Sequence, residues 1–264
     1  MEKMFPAERK SKILEYLRKK QRATVKELSS LVGVSEATLR SDLQLMEEEG
    51  LLQRTHGGAM IAEEMQTDIA FAVREKRNNE EKSAIGSTAA MLPQDGQCIL
   101  LDASSTALEM AKALKSRQIR LTVVTNGIYA ALELKENPNF TVIVVGGVIR
   151  AGSVGLEGML GSSVLNQIHI DTMYASAHGF TLEDGMMDFN VYEVDLKRAM
   201  VQASSQVVGL LDHTKLGKRS ISSFASARDV EMIITDSDAP QSFIDQLQQR
   251  KIKVDIAPPA IYMN

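Results

Sequence analysis

Long hydrophobic runs are missing from this chain of 264 residues. The longest are short, such as Val142 to Val145, far below the roughly 20 residues that a membrane-spanning helix needs. No membrane span is therefore expected. Cysteine is nearly absent. Cys98 stands alone, which excludes an internal disulfide, and its place at the head of the apolar run CILLD suits a buried, inert thiol. The N-terminal stretch MEKMFPAERKSK is charged and has no apolar h-region, so no secretory signal is expected and a cytoplasmic protein follows. His169, His178 and His213 have no metal-ligand spacing, and no metal or other cofactor is expected. Internal repeats and low-complexity tracts are also lacking.

Charge is unevenly spread. Residues 1–60 carry 11 Lys and Arg against 9 Asp and Glu, and the rest carries 19 against 25. Only the first part has the sign to meet a polyanion, although so small an excess decides little alone.

Apolar periodicity organises that first part. Ile13, Leu14 and Leu17 share one face of a helix between Pro6 and Lys20. Thr24-Val25-Lys26-Glu27 is a capping box that opens a second helix with Val25, Leu28 and Leu31 on its apolar face. Gly33 breaks it, Ser35 caps a third helix to about Glu49, and Gly50 stops that one. Leu51–Thr55 and Ala59–Ala62 around His56-Gly57-Gly58 read as a short β-hairpin. Three helices followed by a hairpin form a winged helix-turn-helix. On its third helix Leu39, Leu43 and Met46 face inward, and Ala37, Arg40, Ser41 and Gln44 face outward with Thr38 beside them. Small and hydrogen-bonding side chains near a helix N-terminus suit entry into a DNA major groove. Arg bonds guanine edges or phosphate, and Gln reads adenine. Arg54 and His56 on the wing are placed for the adjacent backbone. A protein-docking module has the same polar outer face, so that reading stays open on these residues alone.

Residues 63–80 are polar and read as a linker whose second half begins a helix. From residue 98 apolar strands alternate with amphipathic helices. Strands are expected at Cys98–Leu101, Leu121–Val124, Val142–Val145, Thr172–Ala175, Val207–Leu211 and Met232–Thr235. Helices are expected at Thr106–Leu114, Ile128–Leu134, Ser162–Ile168, Glu193–Ser204 and Gln241–Arg250. That alternation predicts a mainly parallel sheet covered on both faces. The chain thus reads as α/β, with a winged helix-turn-helix at 1–62, a linker at 63–80 and a larger domain at 81–264.

Ligands bind beyond the carboxyl ends of strands in such sheets. The candidates there are Asp102, Ser104, Ser105 and Thr106, then Thr125 and Asn126, then Gly146, Gly147 and Arg150. Gly179, Glu193, Lys197, Asp212 and Lys215 follow. Hydroxyls, carboxylates and cations in this mixture suit a polyol phosphate. Blander readings remain open for several of them. Ser104–Thr106 also fit a simple helix cap, Gly146-Gly147 a plain turn, and Glu193 with Lys197 an exposed i,i+4 pair.

The stretch from Arg9 to Gly58 closely resembles the N-terminal signature of DeoR-type bacterial transcription regulators. The matching elements are Arg9, Ile13, Leu17, Val25, Leu28, the V-S-x-x-T-x-R-x-D-L run from Val34 to Leu43, Glu48, Gly50, Arg54 and His56-Gly57-Gly58. The resemblance continues through Thr125-Asn126, the Gly146–Arg150 run and Asp212 to Lys215, and covers roughly residues 6–257. It implies a sensor domain similar in fold to ribose phosphate isomerase, glucosamine phosphate deaminase and the coenzyme A transferases. It implies a double-stranded DNA operator as one partner and a phosphorylated sugar or sugar alcohol as effector. A homo-oligomer, dimer or tetramer, and a repressor of a carbohydrate-catabolic operon are expected with them. The chain departs from the family pattern at Ser41, where a second basic residue is usual, and at Ser104, where glycine is common. Ser35, Ala37, Thr38, Arg40, Ser41, Gln44, Arg54, His56 and Gly57 are the DNA-contact candidates. The alternative is a sugar-phosphate isomerase or deaminase with an N-terminal docking domain, with Asp102, Asp188, Glu193 and Asp212 as candidate bases. No spacing among these carboxylates demands catalysis, so a non-enzymatic regulator is expected. Activation instead of repression stays open on the residues.

Overall fold

The computed structural model describes residues 6–20, 22–48, 52–55, 57–60, 71–150 and 152–259. The chain divides into two compact units, 1–74 and 75–264.

The first unit contains α1 (Pro6–Lys20), β1 (Arg22–Thr24), α2 (Val25–Val32), α3 (Glu36–Glu48), β2 (Gln53–Thr55) and β3 (Gly58–Met60). The capping box at the start of α2 is present in full. Glu27 N donates to Thr24 Oγ1 at 3.2 Å and Thr24 N donates to Glu27 Oε2 at 2.7 Å. Ser35 caps α3, its Oγ accepting from Thr38 N at 3.2 Å. Ile13, Leu17, Val25, Leu28, Leu39, Leu43, Met46 and Leu52 are buried together. Truncating one such leucine to alanine costs about 2–5 kcal/mol. The wing is a three-stranded sheet in the order β1-β3-β2, because Arg22–Thr24 joins the hairpin antiparallel to β3. This third strand is absent from the sequence reading, since three residues are too few to show periodicity. His56 and the residues 61–62 expected in the hairpin lie outside the described residues.

The second unit begins with helical turns in the segment read as a linker. The helices are α4 (Phe71–Lys76) and α5 (Asn79–Ala89). Its sheet has seven parallel strands in the order β13-β12-β10-β7-β4-β5-β6. These are β4 (Cys98–Leu101), β5 (Leu121–Thr125), β6 (Phe140–Val144), β7 (Ile170–Ala175), β10 (Ser204–Leu210), β12 (Val230–Thr235) and β13 (Lys253–Ile256). Alternate residues serve opposite faces. Leu100, Val124, Met173 and Val207 enter one buried cluster, with Val194 and Leu196 of α8 (Val191–Gln202) and Leu247 of α9 (Gln241–Gln249). Ile99, Leu101, Val123, Tyr174 and Val208 enter the other, with Ile85 of α5, Met110 of α6 (Ser105–Leu114) and Leu134 of α7 (Ile128–Leu134). The sheet is thus covered on both faces, as the strand-helix alternation predicts.

Several elements differ from expectation. The segment expected as a helix at Ser162–Ile168 is a 3₁₀-helix, Ser162–Gln167. The expected Val142–Val145 strand instead runs Phe140–Val144, in register with Leu121–Thr125. The helix expected from Glu193 begins at Val191, capped by Asn190, whose Oδ1 accepts from Tyr192 N at 3.2 Å. A second, antiparallel sheet of β8 (Gly179–Thr181), β9 (Gly185–Asp188) and β11 (Ser222–Ala225) is also absent from the sequence reading. No helix among the described residues is long and apolar enough to cross a membrane.

Candidate functional site

The outer face of α3 is polar by construction. Its stripe of Leu39, Leu43 and Met46 is buried, which turns Ala37, Thr38, Arg40, Ser41 and Gln44 to solvent together with the cap residue Ser35. Arg40 reaches back one turn to Glu36, with Nη2 2.9 Å from Oε2. Both side chains are exposed, so this pair contributes little and is screened by salt. The helix is held in place from its other side. Arg9 on α1 donates from Nε and Nη2 to the two oxygens of Asp42 at 2.8 and 3.0 Å, in a largely buried two-pronged pair. On the wing, Arg54 is exposed and its backbone N–H donates to Glu47 Oε1 at 2.8 Å. Gly57 is exposed and its carbonyl accepts from Val25 N.

In the second unit the strand order reverses between β4 and β7, where successive connections leave in opposite directions. An open α/β sheet places its crevice at that point. Asp102, the residue after β4, stands there fully buried. Its Oδ1 accepts from Ser104 N at 3.2 Å, and its Oδ2 from Ser176 N, beyond β7, at 3.1 Å. The ammonium of Lys197 lies 3.0 Å from the same oxygen and 2.8 Å from Asp188 Oδ2, donates to Ser176 O at 3.1 Å, and sits 4.8 Å from the Phe224 ring centroid. Burial on its own favours the neutral amine. Asp188, Asp102 and Glu193 outweigh it and hold Lys197 charged well above the ordinary lysine range. Glu193 is itself buried and accepts from Asn190 Nδ2 at 3.3 Å. Glu193 and Lys197 are therefore not an exposed helix pair.

The neighbouring loops are tightly made. Ser104 has extended φ and ψ of −76° and 157° and caps α6, accepting from Ala107 N at 3.1 Å. Serine is unstrained there, and Ser105 and Thr106 are buried in the first turn. Thr125 Oγ1 accepts from Gly127 N at 3.0 Å. Asn126 Nδ2 donates to Leu156 O at 2.9 Å, while its Oδ1 is buried with no hydrogen-bond donor among the described residues. Gly146-Gly147 is not a plain turn. The residue after it, Val148, pairs with Glu157, and a Cβ on Gly147 would stand 2.4 Å from the Glu157 carbonyl oxygen. Arg150 binds the buried Glu157 carboxylate, with Nη2 at 2.7 Å, and lies over the Tyr192 ring at 5.4 Å. Gly179 passes so close to Lys218 that a Cβ would stand 2.2 Å from its carbonyl oxygen. Close backbone packing is what requires glycine at these two positions.

The last loop follows β10. Asp212 Oδ1 accepts from Thr214 N at 3.0 Å, from Asn78 Nδ2 at 3.2 Å and from the Thr214 hydroxyl. Burial favours its neutral form, but Lys215, Thr214 and Lys82 prevail and hold the carboxyl below the ordinary range. Lys215 is half-buried beside it. His213, Asp236 and Asp238 also meet here, with ligand atoms within 4.8 Å of one another. Both Asp236 oxygens are taken by His213 N, His213 Nδ1 and Asp238 N, the pattern of a loop brace.

Of the expected residues, the structure brings Asp102, Glu193 and Lys197 into one cluster with Asp188, named above only as a candidate base, and adds Ser176 and Phe224 to it. It places Asp212 and Lys215 in a second cluster with Asn78 and Lys82. Asn78 carries a sequence-invisible signal, a left-handed backbone at φ 51° in a non-glycine residue.

Two family models match this chain, a DeoR-like helix-turn-helix domain over residues 9–65 and a DeoR C terminal sensor domain over residues 77–237. The HTH-type transcriptional regulator GolR of Listeria innocua is 44% identical over 254 residues, covering 96% of this chain and 100% of GolR. The HTH-type transcriptional repressor GlcR of Bacillus subtilis is 33% identical over 259 residues, covering 95% of this chain and 96% of GlcR. Among solved structures, ribose 5-phosphate isomerase A of Methanocaldococcus jannaschii overlaps 54% of this chain and 56% of its own, at 16% identity and a TM-score of 0.40. With both halves matched by their models and relatives matched end to end, the chain belongs to the DeoR family of transcriptional regulators.

Proposed function

We propose that this regulator represses a carbohydrate-catabolic operon and leaves its operator when a phosphorylated sugar or sugar alcohol binds the second unit. The observation that carries the effector half is the buried cluster of Asp102, Asp188, Glu193 and Lys197 at the point where the strand order reverses. Carboxylates there accept hydrogen bonds from sugar hydroxyls, and Asn126 Oδ1 offers a further unused acceptor. Ser104, Ser105, Thr106, Thr125, Gly146, Gly147, Arg150, Gly179, Asp212 and Lys215 frame the same carboxyl edge of the sheet. The naming of GlcR as a repressor supports the sign of regulation.

In this reading Ser35, Ala37, Thr38, Arg40, Ser41 and Gln44 meet the major groove of double-stranded DNA, and Arg54, His56 and Gly57 meet the flanking backbone. Two or four identical chains engage paired half-sites. Effector binding shifts the balance between chains with high and low operator affinity. A coupling of about 1–3 kcal/mol changes affinity roughly 5–150-fold. The protein acts by binding, without turnover.

The test is operator binding by fluorescence anisotropy, with and without a panel of pentose, hexose and polyol phosphates. An affinity that no compound changes would overturn the effector assignment. A turnover assay on pentose and hexosamine phosphates, run on the same preparation, gives no product if the binding reading is right.

A further inference from the structure

The two edges of the parallel sheet are built from different residues. At one edge β13 reads Lys-Val-Asp-Ile, with Lys253 paired to Glu231 at 2.7 Å and Pro258 soon after. Charge and proline are how an edge strand is kept from pairing with another chain. At the other edge β6 reads Phe-Thr-Val-Ile-Val and carries no charge. One side of β6 bonds to β5, and no strand among the described residues pairs with its other side. That side is a row of backbone donors and acceptors on an uncharged strand.

Exposed apolar side chains gather around the same strand. Val144 ends it, and Val148 and Ile149 follow in the next loop. Tyr129 and Leu132 are exposed on α7, which shares a buried cluster with β6 through Leu134 and Phe140. Leu160 is brought beside the end of β6 by the glycine that follows it. A Cβ on Gly161 would stand 2.3 Å from the Gly146 carbonyl oxygen. These six side chains belong to residues 44% to 81% exposed. Together they present on the order of 500 Å², before the strand edge is counted, against about 800 Å² per partner in a standard interface. An apolar area of that size marks a docking surface.

We propose that β6 is the seam between two copies of this chain, each β6 pairing antiparallel with the other across a twofold axis. Two features single out a second copy as the occupant. A twofold axis through an edge strand, normal to the sheet, sets the strand antiparallel to itself, so the free donors of each copy meet the free acceptors of the other. The strand is also uncharged, so facing its own copy brings no like charges together. This inference rests on the reading that two or four chains engage the operator, and it names the surface that joins them. The parallel sheet then runs unbroken from one copy into the next. Val148 and Ile149 lie between Gly147 and Arg150, so a ligand held by that loop acts on the seam directly.

The experiment is sedimentation velocity of the full chain over a concentration series, with Val144→Lys and Leu160→Lys as variants. Both positions are exposed within one chain, so the fold is kept. In a twofold seam each substitution acts twice and buries like charges. Each variant is expected to fall to half the mass of the parent assembly, with self-association weakened about a hundredfold or more. Ile221→Lys, at an equally apolar exposed position ahead of β11, is expected to assemble as the parent does. Hydrogen exchange of the parent gives a second measurement that needs no variant. The amides of Phe140–Val144 are expected to exchange slowly in the assembly and faster once dilution separates the copies. Equal exchange in both states would overturn the seam. A parent and variants that assemble alike also sink it, while the reading of an oligomeric regulator stands. A parent that is a monomer throughout removes both. Dissociation by Val144→Lys with operator affinity unchanged upholds the seam and removes the reading of two chains on paired half-sites.

Discussion

Asp188 brings its Oδ2 to 2.8 Å from Lys197 Nζ, although one residue ends a strand of the small antiparallel sheet and the other lies on α8. With Asp102 it brackets the ammonium, so the two sheets meet at one buried charge. The cluster carries more carboxylates than cations, which makes Lys197 its keystone.

Lys197→Met is expected to destabilise the second unit by about 3–5 kcal/mol, because Asp102 and Asp188 are left buried without their counter-charge. Chemical denaturation checks this. Loss under 1 kcal/mol would mean that the carboxylates take up protons or water at little cost.

The Arg9–Asp42 pair is expected to act as a unit. Each of Arg9→Ala and Asp42→Ala should cost about 1–3 kcal/mol of stability in the first unit. The double variant should cost much less than their sum. Additive losses in the cycle would show that the two side chains act separately.

Arg40→Ala should leave stability within about 0.5 kcal/mol, since its partner Glu36 is exposed. It should weaken specific operator binding by about 1–3 kcal/mol and non-specific DNA binding by less. Equal losses on both DNAs would make Arg40 a phosphate contact only.

Asp212 predicts a pH effect. Its folded carboxyl is held below the ordinary value by Lys215, Thr214 and Lys82, against the opposing effect of burial. Stability from this source is complete above the unfolded value, near pH 4 or roughly 3.9, and drains away as pH falls through the lower folded value. The thermal midpoint of Asp212→Asn should therefore fall less steeply with acid below about pH 4 than that of the parent. Parallel curves would show that Asp212 carries none of the acid sensitivity.

Ser104→Ala should cost about 1 kcal/mol through loss of the cap on α6, and Ser104→Gly only a few tenths. Thermal denaturation distinguishes them. Equal losses would mean that the bond from Ala107 N to Ser104 Oγ adds nothing.

The first unit was legible because its instructions are local. Thr24 and Glu27 are three residues apart and form their capping box within one turn. Ile13 with Leu17, and Leu39 with Leu43, are one helical turn apart, so the buried stripe is written in the spacing. The parallel sheet was legible for the same reason, as each strand is a short apolar run followed by a helix of its own. The loops after the strands likewise pointed to Asp102, Asp212 and Lys215, and the mixture of carboxylates and cations on one helix pointed to Glu193 and Lys197.

Their partners were another matter. Spacing alone left Glu193 and Lys197 compatible with an exposed i,i+4 pair, whereas Lys197 turns inward to Asp102 and Asp188. The strand that carries Asp188 is four residues of Gly and Met and Asp, too short and too uniform for any period to show. Asn78 and Asp212 are 134 positions apart, and no local pattern links an amide at the start of one helix to a carboxylate after a distant strand. Sequence by itself determined which helices form, which faces they bury and that a DNA reader precedes a parallel sheet, because hydrogen bonding within a turn and apolar periodicity act over a few residues. Only tertiary structure decided which charges share a dry interior, because burial and pairing depend on what the rest of the chain folds against them.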